Sequence, residues 1–394
     1  MHHDANLMPK DGPRLYLFII WEKSRNKTEL ILEDLERKFV IRDVYEIKWS
    51  KENFLNNLKR FYGQSLPDAQ QKAELCGMGS FLLVIVSDLH PEFVETKITF
   101  ERDLVNINIH DSKIKYRKWI GKDFTIHSSV SENETDHNLT LLFGKNSQDL
   151  EKELPEKWTG SIKNQESDLI GHDGWQDMKQ LLYVLNGTTN YVILRNFEGM
   201  PYEFDYRDVD LLADDEKLAY IINKDFSPLS SNSRSFETKM GDKMVMFNPN
   251  YLGDHYYDIT WEKDILKRRV FHSNGFYVPH KEDYFYTLLY HVIFHKRMIS
   301  DKYKKMLSDF AKELDINEVT ERTLNDFNKS KKFLEKYMFK MSYRNSSTIQ
   351  YKIKHNELMR LAKVAIFLAK TQGMRFLLIA SIGKIKIMIK SIQK

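Results

Sequence analysis

The sequence predicts an α/β protein of the mixed α+β kind, on three observations. Two strand-length apolar runs, RLYLFII at 14–20 and the fully apolar FLLVIV at 81–86, are separated by amphipathic helical patterns. Short strand patterns recur through the middle of the chain. From about 281 onward the apolar spacing becomes helical. A length of 394 residues exceeds what one core commonly fills, so several domains are expected.

The elements follow in order. After the first apolar run, TELILEDLERKF places Leu30, Ile31, Leu35 and Phe39 on one helical face, and VIRDVYEIKW reads as a strand. A helix fits 52–61, and the turn Gly77-Met78-Gly79 precedes the second apolar run. This βαβ-rich order implies a domain over 14–144. Residues 145–172 are polar and read as a linker. Over 173–310, a helix fits GWQDMKQLLYVL, and strands fit NYVILRNF, DVDLLA, KMVMF and HYYDITW, with FSPLSSNSRS as a loop. EDYFYTLLYHVIFHKRM, DKYKKMLSDFAKEL and HNELMRLAKVAIFLAKTQ read as helices, giving a helical C-terminal region over 311–394.

Composition narrows the class. Hydrophobic residues make up 42% and aromatics 13%, enough for real cores, which excludes disorder throughout. Cys76 is the single cysteine, so no disulfide framework forms within the chain and a reducing compartment is favoured. The first residues lack an apolar core of the signal-peptide kind, and no run of about 18 apolar residues exists, so a cytoplasmic protein without a transmembrane helix is expected. The net charge of +4 is unevenly spread. Residues 351–394 hold ten Lys/Arg against Glu357, a net +9, which leaves −5 for the remainder. An acidic body with a basic tail is not a nucleic-acid-coating pattern, and no nucleic-acid partner is expected. The mixture of Phe376, Ile382, Ile385 and Ile389 with Arg375, Lys384, Lys386 and Lys390 over 374–394 predicts an amphipathic helix at an anionic membrane surface. Each cation there contributes about 1 kcal/mol.

Asp208 and Asp210 open the strand DVDLLA. Residues i and i+2 of a strand project from one face, so both carboxylates point to one site. Such a pair repels itself unless a divalent cation intervenes, and hard oxygen donors suit Mg²⁺, the usual arrangement for phosphoryl transfer. Asp258, in the strand-like pattern YYDI, could complete the metal site or act as base for an attacking hydroxyl.

This constellation resembles the nucleotidyltransferase superfamily, in which a strand with two acids is joined by a third acid on a neighbouring strand. The segment YVILRNFEGMP resembles the entry to that core, and HKEDYFYTLLYHVIFHKRMIS resembles the helical part of nucleotidyltransferases found beside sugar-chain genes. The resemblance covers about 170–310 and implies a mixed sheet. Arg195 and Asn196 stand where the family carries a Gly-Ser pair, and Arg195 is then the implied phosphate holder.

A second resemblance lies in 14–144. His127-Ser128-Ser129-Val130-Ser131-Glu132 follows a short apolar strand and precedes a helix, as the catalytic histidine of nucleoside diphosphate kinases does. The resemblance implies a ferredoxin-like sandwich, a histidine able to attack phosphorus, and phosphate contacts from Arg117 and Lys23. The family's Lys-Pro-Asp after the first strand is replaced by Trp21-Glu22-Lys23.

His291 and His295 share a helical face at spacing i, i+4, but the glutamate of a zinc-protease motif is missing, since Val292 follows His291. They are expected to be packed or surface residues, with Lys296 reaching toward a phosphate. No P-loop and no dinucleotide fingerprint is present. Two functions are therefore expected. One is Mg²⁺-dependent transfer of a nucleotidyl or phospho-sugar group from a nucleotide or nucleotide-sugar, in polysaccharide or glycan assembly, to a glycan or lipid-linked acceptor at a membrane. The other is a regulatory or nucleotide-binding protein whose transfer chemistry has eroded, which the missing Gly-Ser and Lys-Pro-Asp favour.

Overall fold

A computed structural model describes residues 14–63, 66, 68–97, 102–203, 208–226 and 235–344. The chain is a mixed α+β protein dividing into two compact units. One takes in the chain up to Leu252 with 262–288 and 310–315, and the other holds 253–261, 289–309 and the chain from 316.

The first unit begins β1 (Arg14–Ile20), α1 (Thr28–Lys38), β2 (Val40–Lys48), α2 (Phe54–Tyr62), α3 (Ala69–Cys76), β3 (Phe81–Asp88). It continues with the hairpin β4 (Phe93–Lys97) and β5 (Arg102–Asn106), then α4 (Ile107–Ile120), β6 (Ile126–Ser128), α5 (Glu132–Phe143), α6 (Ser147–Glu151) and β7 (Lys163–Glu166). The sheet order is β6-β1-β3-β2-β7. All neighbours are antiparallel except β7, which runs parallel to β2. The apolar run of β1 follows from burial on both faces. Leu15, Leu17 and Ile19 enter one core while Tyr16, Phe18 and Ile20 enter another on the opposite side.

The stretch read as a linker, 145–172, is part of this fold. It supplies α6 and the edge strand β7, whose residues pair from Tyr45↔Lys163 to Lys48↔Glu166. Sequence polarity misled because an edge strand of exposed residues carries little apolar pattern. Just beyond it, Asp168 accepts bonds from Ser50 N at 2.9 Å, Ser50 Oγ at 2.7 Å, Asn53 Nδ2 at 2.9 Å and Asn57 Nδ2 at 2.6 Å.

The chain then forms α7 (Met178–Thr188), β8 (Tyr191–Ile193), β9 (Val209–Ala213), α8 (Lys217–Ile222), β10 (Phe236–Met240) and β11 (Lys243–Tyr251), with sheet order β10-β11-β9-β8. Asp177 caps α7 by accepting from Gln180 N at 2.8 Å. One face of this second sheet, with Val209, Leu211, Ala213, Tyr191, Ile193, Val245 and Phe247, joins the same apolar cluster as Leu17 and Ile47 of the first sheet. One core thus serves both sheets. Gly174, at φ +100°, lets the chain pass against Lys239 O, which an added Cβ would meet at 2.9 Å.

The remaining elements are α9 (Ile259–Lys267), the hairpin β12 (Val270–His272) and β13 (Phe276–Val278), α10 (Lys281–Tyr290), α11 (Asp301–Glu313), α12 (Glu321–Asn325) and α13 (Phe327–Lys340). Helix is found after 281 as the periodicity predicts, but the long candidate at 282–298 ends α-helical geometry at Tyr290. A π-helical turn, His291–His295, follows, closed by Lys296 N donating to His291 O at 2.9 Å. HNELMRLAKVAIFLAKTQ and the amphipathic segment 374–394 lie outside the described residues. Among the described residues, no helix is long and apolar enough to cross a membrane.

Candidate functional site

Asp208 and Asp210 do stand at one end of β9. Asp208 is exposed, while Asp210 is 4% exposed and lies on the sheet face opposite the shared core. Among the described residues, a guanidinium and an amide meet these carboxylates. Arg195, 8% exposed just past β8, holds Asp210 Oδ2 at 2.8 Å. Asn248 of β11, directly opposite Asp210 in the parallel ladder, donates its Nδ2 to Asp208 Oδ1. Two residues on, Asn250 Nδ2 donates to Leu211 O at 3.1 Å. The neighbouring strand therefore offers amides where a third acid was expected.

Asp258 is not on a strand. The YYDI segment is irregular, and Asp258 stands immediately before α9, with Oδ1 accepting from Thr260 N at 2.8 Å and Oδ2 from Arg344 N at 3.1 Å. An aspartate before an apolar helical run is a good N-cap, and its two carboxylate oxygens satisfy backbone N–H groups. Asp258 belongs to the second compact unit, Asp208 and Asp210 to the first. Among the described residues no set of three or more His, Cys, Asp and Glu side chains is grouped to hold a metal ion. Asn196 takes a left-handed backbone conformation, φ 58°, in the bend after β8.

His127 sits on β6, paired through Ile19 of β1. It is buried and lies edge-on to Phe61 and Tyr62 at 5.5 and 5.3 Å. Asn138 Nδ2 lies 2.8 Å from its Nε2 and Glu134 Oε1 3.9 Å away. The Asn138 side-chain amide thus engages one ring nitrogen of the histidine. Burial first, and then the nearby charges of Lys113, Lys72 and Arg117, hold His127 well below the ordinary histidine range. His137 is depressed too, by burial and then by Lys217. Glu134 Oε2 accepts from Val130 N at 2.8 Å, while Ser131 caps α5 by accepting from Glu134 N at 3.2 Å.

Four cations converge on this region, each pushed down by burial. Lys72 donates from Nζ to Phe124 O at 2.5 Å and lies 4.9 Å from the Tyr62 ring centroid. Arg117 clamps Ile126 O with Nε and Nη2 at 3.1 and 2.9 Å. Lys113 stands one helical turn before Arg117 on α4, and Lys217, after β9, feels the charges of Asp215 and Asp214 and then that of Glu134. Lys23 points elsewhere, its Nζ donating to Glu74 O at 2.5 Å, and Glu22 accepts from Gly79 N at 2.7 Å. Sequence reasoning found His127 and Arg117 but missed Lys72, Lys113, Asn138 and Lys217. Two spacings carried a signal: Lys113 to Arg117 and Glu134 to Asn138 are both i, i+4 on helices that flank the histidine strand.

The two depressed histidines fix a pH dependence. Each has a folded pKa below its unfolded one, so the unfolded chain takes up protons first as pH falls below about 6.5. Their stabilisation is present above that pH and is lost beneath it. Urea unfolding should therefore show stability falling by about 1–2 kcal/mol between pH 7 and pH 5.5, and His127→Gln should flatten the slope.

No known protein family, curated protein or solved structure matches the chain.

Proposed function

We propose that this is a nucleotide-binding protein of regulatory character in which the chemistry of group transfer has eroded. The observation that carries the reading is the cationic surround of His127, with Lys113, Lys72 and Arg117 all acting on the ring and Lys113 and Lys217 both near Glu134. Partly buried cations gathered around one ring favour a polyanion, and a nucleoside polyphosphate supplies the charge. The sheet order β6-β1-β3-β2 fits the ferredoxin-like arrangement of the nucleoside diphosphate kinase resemblance. The ring itself is poorly placed to attack phosphorus. It is buried, packed edge-on against Phe61 and Tyr62, with Nε2 engaged by Asn138.

The same erosion is read at Asp208 and Asp210. A guanidinium already neutralises Asp210, and an amide donor faces Asp208, so the donor set does not suit Mg²⁺. A Mg²⁺-dependent nucleotidyl- or phospho-sugar transferase acting on a glycan or lipid-linked acceptor is the second reading. It is favoured by the exposed carboxylate of Asp208 beside Asp210 at the end of β9.

Calorimetry with ATP and CTP on the full chain tests the first reading. Binding should weaken about tenfold or more in Lys72→Ala/Arg117→Ala, the loss expected for one or two charged hydrogen bonds. It should be unchanged in Asp208→Ala, and no acid-labile phosphate should form on the protein. Mg²⁺-dependent binding abolished by Asp208→Ala, or phosphate on the chain lost in His127→Ala, would overturn it.

A further inference from the structure

The second compact unit carries an outward face that none of the candidate sites uses. Over α13 the buried residues are Ser330, Leu334, Tyr337 and Met338, which fix the inner face of the helix. The opposite face shows Lys329, Lys332, Glu335, Lys336, Phe339 and Lys340 to solvent. Five lysines stand against one glutamate along this helix. Phe339, at its C-terminal end, is 87% exposed, more than any other large hydrophobic among the described residues. In the same unit, the turn after the π-helical segment exposes Lys296, Arg297 and Met298, and Met298 is 65% exposed. Some of the charge is answered locally. Lys336 donates to Glu318 at 2.8 Å and Lys329 lies 3.4 Å from Asp326. Even so, the described part of this unit holds twelve Lys/Arg against eight Asp/Glu, a net +4, while the sequence from 345 adds a further +9.

We infer that the outer face of α13 is a docking surface for an anionic lipid bilayer, with Phe339 entering the interface and Lys332, Lys336 and Lys340 facing the headgroups. Charge complementarity selects the partner, because a helix that alternates lysines with one protruding aromatic suits a negatively charged surface with an apolar layer just beneath it. A nucleic acid duplex has phosphates for the lysines, but Phe339 could enter it only at the cost of unstacking a base step.

The test is sedimentation of the full chain with vesicles of phosphatidylcholine alone and of phosphatidylcholine with one-third phosphatidylserine. Binding is expected only to the anionic vesicles and should fall with salt. Lys332→Glu/Lys340→Glu should weaken it about tenfold or more. Phe339→Asp should also weaken it, and all three positions lie on the exposed face, so the fold is retained. Because Cys76 is buried, Phe339→Cys accepts an environment-sensitive fluorophore at one place. Its emission should shift to the blue on anionic vesicles. The inference is overturned by equal affinity for both vesicle types, by sedimentation without an emission shift at 339, or by tight binding to duplex DNA or RNA that the Lys332/Lys340 variant abolishes while vesicles are ignored.

Discussion

Replacing Arg195 by Met is expected to destabilise the first unit by about 3–5 kcal/mol, because it takes a charged partner from the Asp210 carboxylate in a site closed to water. The two groups are 2.8 Å apart with side chains 8% and 5% exposed. Removing one partner of such a pair costs far more than removing both. Arg195→Met/Asp210→Leu should therefore recover most of the loss, a non-additivity visible in urea midpoints. If the guanidinium stands where a cation would in an active transferase, millimolar Mg²⁺ should restore part of the stability of Arg195→Met and leave the parent unmoved. A single-variant loss below about 1 kcal/mol would mean that the pair is wetter than its burial indicates.

The second large effect is expected at Asp168. Its carboxylate takes four donors from Ser50, Asn53 and Asn57, and so ties the segment after β7 to the start of α2. Burial pushes its pKa up, but the bonds from Ser50, Asn53 and Asn57 outweigh this and hold it below the usual carboxylate range. Asp168→Ala should cost about 3 kcal/mol, the loss of several charge-assisted bonds discounted for their partial exposure. The sign of the pH dependence follows from the depressed value. The contribution is present above the unfolded carboxylate pKa near 3.9 and is lost as pH falls through the lower folded one. Acid unfolding of the parent should be steeper than that of Asp168→Ala, with the two converging below about pH 3.

How much of this was legible in the sequence varies by feature. The apolar runs of β1 and β3 announced themselves because strands buried on both faces leave no polar alternation to confuse them. The Asp208–Asp210 strand was read correctly as a strand, since Val209, Leu211 and Leu212 are all core residues. What composition concealed was partnership. No local pattern says that Arg195 will neutralise Asp210, or that Asn248 will lie opposite it, because both depend on the order in which β8, β9 and β11 assemble. Asp258 misled for a different reason. Tyr256-Tyr257-Asp258-Ile259 has the aromatic and branched composition of a strand, yet the aspartate is capping the helix that begins at the next residue. The cations around His127 were scattered over α3, α4 and the start of α8, and only the closed sheet gathers them.

The parallel edge strand β7 has a consequence for synthesis. Lys163–Glu166 pair with residues made about 120 positions earlier, and until they emerge β2 presents an open row of backbone donors and acceptors. A nascent or truncated chain stopping near residue 150 would carry that sticky margin unguarded, and would be prone to pair with its neighbours on the same message. Self-association of such a fragment, relieved by extending it past residue 170, is what this architecture dictates.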